Sequence, residues 1–99
     1  MYKKYCFVYI STNKRHTVLY VGVTNNIFNR NNQHKIKLNK NSFTARYNVN
    51  KIVYYETYTN INRAIEREKQ IKRWRREKKI MLINTINSDW DDLIELSLQ

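Results

Sequence analysis

The sequence predicts a small α/β domain in which helices cover both faces of a sheet. Residues 5–12 and 17–24 are two runs rich in β-branched and aromatic types, separated by the polar stretch Asn13-Lys14-Arg15-His16, and together they read as a hairpin. Strand alternation leaves neither face of these runs polar, so both faces need cover. After residue 59 the apolar residues recur at spacings of three and four, the helical period. With 99 residues, the chain has enough material for one modest core, and residues 1–99 are read as a single domain.

In the hairpin, alternation sends Cys6, Val8 and Ile10 to one face and Tyr5, Phe7 and Tyr9 to the other. On the second strand Leu19, Val21 and Val23 share a face, and Val18, Tyr20 and Gly22 take the opposite one. A helix follows, capped by Thr24 or Asn25 and running to about Lys37, with Ile27 and Phe28 turned inward. Its asparagines are poor helix formers, so tertiary contacts must hold it. Residues 42–47 read as loop and residues 51–58 as a third strand. Thr59 or Asn60 caps the next helix, whose apolar row is Ile61, Ala64, Ile65 and Ile71, continued by Trp74. A further helix carries Ile80, Met81, Ile83 and Ile86, and a short last one, capped by Ser88, carries Trp90, Leu93 and Ile94. The acidic residues Asp89, Asp91, Asp92 and Glu95 gather there, the first of them near a helix N-terminus, where carboxylates suit the dipole. With no proline and one glycine, turns fall to asparagine-rich segments such as Asn25-Asn26 and Asn39-Lys40-Asn41.

Charge narrows the class of partner. Nineteen basic against eight acidic residues give +11 at pH 7, and the first acidic residue is Glu56. Such a field attracts polyanions, of which nucleic acid is the commonest inside cells. No apolar run approaches the roughly 20 residues that a membrane span needs, so no membrane partner is expected. The single cysteine, Cys6, can form no internal disulfide, which points to a reduced, cytoplasmic setting.

Three groups of residues can carry chemistry, and each also has a plainer reading. Glu68 falls three residues after Ile65 and three before Ile71, so it points with the apolar row. A carboxylate there needs a partner, either Lys72 at i+4 or a cation such as Mg²⁺. Arg30 and His34 stand four apart on one helix face, where a guanidinium suits a phosphate; solvated surface residues are the alternative. Tyr9 and Tyr20 share one face of adjacent strands, as packing residues or as a general base and its helper. Gly22 in a strand marks a bulge or the close approach of another backbone or a ligand. The basic run from Lys69 to Lys79 offers Lys72, Arg75, Arg76, Lys78 and Lys79 to a nucleic-acid backbone, and Lys35 adds a cation on the first helix.

The ordered set Phe7-Val8-Tyr9, Tyr20-Val21-Gly22, Arg30, His34 and Ala64-Ile65-Glu66-Arg67-Glu68 resembles the GIY-YIG nuclease superfamily, in particular its small single-domain bacterial members, which are similar to the excision-repair nuclease subunit. The resemblance covers almost the whole chain. It implies a three-stranded antiparallel sheet flanked by helices, and a divalent-metal phosphodiesterase using Mg²⁺ or Mn²⁺. It also implies DNA ahead of RNA as substrate, with a role in repair or on structured DNA. Carried over by position, the two motif tyrosines fall on Tyr9 and Tyr20, the essential arginine on Arg30, the histidine on His34, and the metal-binding glutamate on Glu68. Phe7 stands where the family's name has glycine, and Val23 stands where some members have lysine. Asn84 and Asn87 are candidates for an asparagine role found late in some members. Between the tyrosines, Tyr9 is preferred as general base, because Gly22 beside Tyr20 reads as a place where substrate comes close. The competing function is a nucleic-acid-binding module on the same fold without catalysis. A third is a subunit recruited by a larger protein, with Tyr54, Tyr55 and Trp74 as contact aromatics.

Overall fold

The computed structural model of the chain describes residues 4–27 and 47–97. Three strands, β1 (Cys6–Thr12), β2 (Leu19–Thr24) and β3 (Lys51–Tyr58), form an antiparallel sheet in the order β2-β1-β3. They are followed by α1 (Ile61–Lys72), α2 (Arg76–Asn84) and α3 (Leu93–Ser97). β1 is the central strand and the most deeply buried, with Val8, Tyr9, Ile10, Ser11 and Thr12 all inaccessible to solvent. Cutting Ile10 to alanine there would cost about 2–5 kcal/mol, since a packed core collapses only partly onto the void.

The two faces have separate cores. On one, Cys6, Val8, Ile10 and Val21 meet Val53, Tyr54, Ala64, Ile71, Ile83 and Trp90, so α1 and α2 cover this side. On the other, Tyr9 packs with Ile27, Ile52 and Ile94, edged by Phe7 and Tyr20, so α3 covers this side. The expected alternation holds in both hairpin strands. β3 departs from it: Ile10 pairs with Tyr54 but Ser11 pairs with Ile52, a bulge that leaves Val53 as the extra residue. Simple alternation would put Ile52 on the face of Tyr54. The bulge instead sends Ile52 beneath Tyr9, while Val53 joins Tyr54 in the opposite core. The Val53 carbonyl is satisfied by Asn87, whose Nδ2 donates to it at 2.9 Å.

The hairpin turn is closed without glycine. Asn13 Oδ1 accepts from the backbone N–H groups of Thr17 (2.8 Å) and Val18 (3.3 Å), its Nδ2 donates to Thr17 Oγ1 (2.6 Å), and His16 takes the left-handed conformation at φ 58°. Asn60, one of the two expected caps, starts α1 by accepting from the N–H groups of Asn62 and Arg63.

Several helix expectations are corrected. Ile61 is exposed along with Asn62 and Arg63 in the first turn of α1, and Ala64 and Ile71 make the buried contact. Trp74 lies in the turn after α1 rather than on it. Met81 is 69% exposed and Ile86, beyond the end of α2, is 59% exposed, because α2 turns Ile83 to the core with Ile80 and Leu82 beside it. The last helix starts at Leu93, not after Ser88: Asp92 Oδ1 accepts from the N–H groups of Ile94 and Glu95, while Trp90 sits in the preceding turn at φ 55°. The helix expected from Thr24 or Asn25 to Lys37, apart from its first residues, and the loop at 42–46 lie outside the described residues. At its start Thr24 Oγ1 accepts from Asn26 N–H at 3.1 Å.

Candidate functional site

Pairing β1 with β2 sets Tyr9 opposite Gly22 and Ser11 opposite Tyr20, which makes the two tyrosines diagonal neighbours on one face. Their ring centroids are 6.2 Å apart with the planes tilted by 42°. Tyr9 lies across Gly22 so closely that a Cβ at that position would stand 2.5 Å from Tyr9 Oη, 2.6 Å from its Cζ and 3.0 Å from Tyr20 Cε1. The group that approaches the glycine is therefore the Tyr9 phenol, and Gly22 is needed for space, since its φ is not positive. Tyr9 is 0% exposed and Tyr20 only partly covered. Next to them is Ser11, fully buried, whose hydroxyl has no hydrogen-bond partner among the described residues. On the same face, an open cleft of about 430 Å³ is lined by Lys4, Tyr5, Phe7 and Asn25 at the end of the sheet where β1 begins and β2 finishes.

Glu68 is carried by α1, whose buried residues Ala64 and Ile71 belong to the core of the opposite face. Its side chain is 15% exposed, as the apolar row requires, and Oε1 is 2.7 Å from Lys72 Nζ, the i+4 partner. Among the described residues no group of three or more His, Cys, Asp and Glu side chains could cage a metal. A lone hard carboxylate nevertheless fits Mg²⁺ or Mn²⁺, which are commonly held by one or two carboxylates, with water and substrate phosphate completing the shell. The structure thus brings together Tyr9, Tyr20 and Gly22, and puts Glu68 on the helix packed behind their strands. Arg30, His34 and Lys35 lie outside the described residues.

A polar network escaped the sequence reading. Glu56 accepts from Tyr54 Oη, from Tyr58 Oη at 2.7 Å, and from Arg67 Nε and Nη2 at 2.9 and 3.0 Å. Arg67 also donates to Gln70 Oε1 at 2.7 Å. Burial pushes the Glu56 carboxyl up, but the hydrogen bonds from Arg67, Tyr54 and Tyr58 outweigh it and leave it below the ordinary carboxylate range. Burial, reinforced by Glu56, pushes the Tyr54 and Tyr58 phenols up. The signal was present in the sequence: Tyr54, Glu56 and Tyr58 alternate and so share a face. Tyr54 is buried in this network and is no contact aromatic, whereas Tyr55 is partly exposed with its ring edge-on to Phe7. Trp74 is half-buried, with the Lys78 ammonium 4.2 Å and the Arg67 guanidinium 5.1 Å from its ring centre. Asn84 and Asn87 are both bound into the fold, Asn84 accepting from Trp90 Nε1 and Asn87 bridging Val53 and Asp91.

The basic residues are also positioned. Arg75 is the N-cap of α2, and Arg75, Arg76 and Lys78 are exposed. Arg76 Nη2 donates to the His16 carbonyl at 2.8 Å, and Lys51 Nζ bonds His16 Nε2 at 3.0 Å. The His16 ring lies tilted by 35° against that of Trp90, with centroids 4.8 Å apart. Burial and then the Lys51 charge lower the His16 pKa, and burial and then Arg76 lower that of Lys79.

A model of the GIY-YIG catalytic domain matches residues 5–84, which takes in the tyrosine strands, Glu68 and the basic run. The chain belongs to the GIY-YIG family. It carries the catalytic domain of a family of endonucleases, and its sheet with flanking helices is the fold of that family. A solution structure of the UPF0213 protein BH0048 from Bacillus halodurans is similar at 22% identity with a TM-score of 0.56, covering 94% of this chain and 97% of that one, a likeness of fold. No curated protein matches the chain. Among the described residues, no helix is long and apolar enough to cross a membrane.

Proposed function

We propose that this GIY-YIG domain is a divalent-metal-dependent endonuclease that hydrolyses phosphodiester bonds in DNA, in repair or on structured substrates. The observation that carries the proposal is the tyrosine pair folded over Gly22, within the residues that the family model covers. Of the two tyrosines, Tyr20 is the partly exposed one and is assigned as general base, with the buried Tyr9 packed against it as helper. This reverses the preference drawn from sequence, since the space above Gly22 is filled by Tyr9. Arg30 would neutralise charge on the phosphoryl oxygens, with His34 supporting it. Glu68 would hold Mg²⁺ or Mn²⁺, which when bound polarises the scissile phosphate and stabilises the leaving oxygen. Lys72 is the partner of this carboxylate in the free protein.

The ion pair between Glu68 and Lys72 favours one second reading, a binding module without catalysis in which the carboxylate is purely structural. Incubation with branched, nicked, single-stranded and duplex DNA and with RNA, in Mg²⁺ or Mn²⁺ and in chelator, separates the two. Cleavage of DNA that stops in chelator supports the nuclease. Binding without cleavage under every condition supports the module.

A further inference from the structure

We propose that the β1–β2 turn forms, with the start of β3 and the first turn of α2, a single phosphate-contacting surface, so that Lys14 and Arg15 grip the nucleic-acid backbone alongside Arg76 and Lys79. The proposal rests on the nucleic-acid substrate of the proposed function and extends it to residues outside the basic run at 69–79.

Three segments distant in sequence meet at His16. Its carbonyl receives Arg76 from α2, and its Nε2 receives Lys51 from β3. Lys14 and Arg15, the two residues before it, are exposed at the turn. That turn is stiff, because the Asn13 side chain closes it with three hydrogen bonds and His16 N–H returns to the Asn13 carbonyl at 3.0 Å. The two cations are therefore presented on a preorganised support, which lowers the ordering cost of binding.

The charges in this patch are not spent on carboxylates. Among the described residues the ion pairs are Arg67 with Glu56 and Lys72 with Glu68, and none of Lys14, Arg15, Lys51, Arg76 and Lys79 takes part. Glu77, Asp89 and Asp91 lie near in sequence to the elements concerned, but they are exposed and unpaired with these cations. Arg76 and Lys51 instead donate to a neutral carbonyl and an imidazole. Gathering unneutralised cations costs energy in the free protein, and a row of phosphates would recover it with release of counterions.

The test is the salt dependence of binding to a short fluorescent DNA duplex in chelator, where cleavage cannot interfere. Wild type is compared with Arg15→Gln, with Lys14→Gln/Arg15→Gln, and with the charge-matched control Arg63→Gln on the exposed first turn of α1. Lys51 and Arg76 are left intact, because each holds His16. The slope of log affinity against log salt should become shallower by about 0.9 for the single turn variant and about twice that for the double one, with the control near wild type. Melting temperatures should stay together, since the substituted side chains are exposed. Turn variants whose slopes match that of the control would overturn the proposal; if the wild type still cleaved DNA, the nuclease reading would stand without it. A wild type that neither binds nor cleaves nucleic acid would overturn both.

Discussion

A methyl group added to Gly22 would stand 2.5 Å from the Tyr9 hydroxyl, in the pairing of β1 with β2. Tyr9 cannot swing aside without entering the core formed with Ile27, Ile52 and Ile94. Gly22→Ala should therefore destabilise the fold by about 1–3 kcal/mol, as overpacking does, and should lower cleavage by displacing the tyrosine pair. Denaturant unfolding and a cleavage assay on the same protein check both effects; unchanged stability would mean that Tyr9 does not lie across the glycine. His16 gives a prediction in pH. Its folded pKa is below its ordinary value of 6.5, so the unfolded chain takes up a proton first as pH falls. Its contribution is thus complete above about pH 6.5 and is lost as pH drops below that. His16→Asn suits the left-handed backbone and cannot titrate. Melting curves between pH 7.5 and 5.5 should fall less steeply for this variant than for wild type.

At the scale of elements, α1 is fastened to β3 by Arg67 gripping Glu56 between two tyrosines. Glu56→Gln keeps the shape but discharges the pair, and because both partners are partly exposed the cost should be about 1–3 kcal/mol at neutral pH. The folded carboxyl titrates below its ordinary value of 4.5, so the stabilisation exists above that pH and disappears as acid takes the system through the depressed range. Wild type and Glu56→Gln should converge in stability there, as acid unfolding monitored by circular dichroism would show. The strands were legible because their residues are β-branched and aromatic on both faces, and the β3 bounds matched the run Lys51 to Tyr58. The bulge at Val53 was not legible, since it depends on Asn87 arriving from a distant turn to take the freed carbonyl. The α2 face was misjudged at Met81 and Ile86 for a similar reason: spacing names a stripe, but the sheet's position decides which residues of it are buried. In the candidate site, the tyrosines could be read from alternation and Glu68 from its place in the apolar row. The crossing of Tyr9 over Gly22 needed the strand register.

For the molecule as a whole, the candidate groups are supplied by elements on both sides of the sheet. The tyrosine pair faces the core closed by α3, and Glu68 rides on α1, which packs into the other core. The nuclease reading requires these groups to act on one phosphate, with the basic surface around α2 and the β1–β2 turn holding the backbone to either side. Its most direct test is a parallel measurement of DNA cleavage in Mg²⁺ and of DNA binding for wild type and Glu68→Ala, with the melting temperature of each. Cleavage should be abolished while binding stays the same or tightens slightly, because a metal ligand and a negative charge near phosphate are lost together. Full cleavage by Glu68→Ala, with only its melting temperature lowered, would reduce Glu68 to the partner of Lys72 and contradict the account.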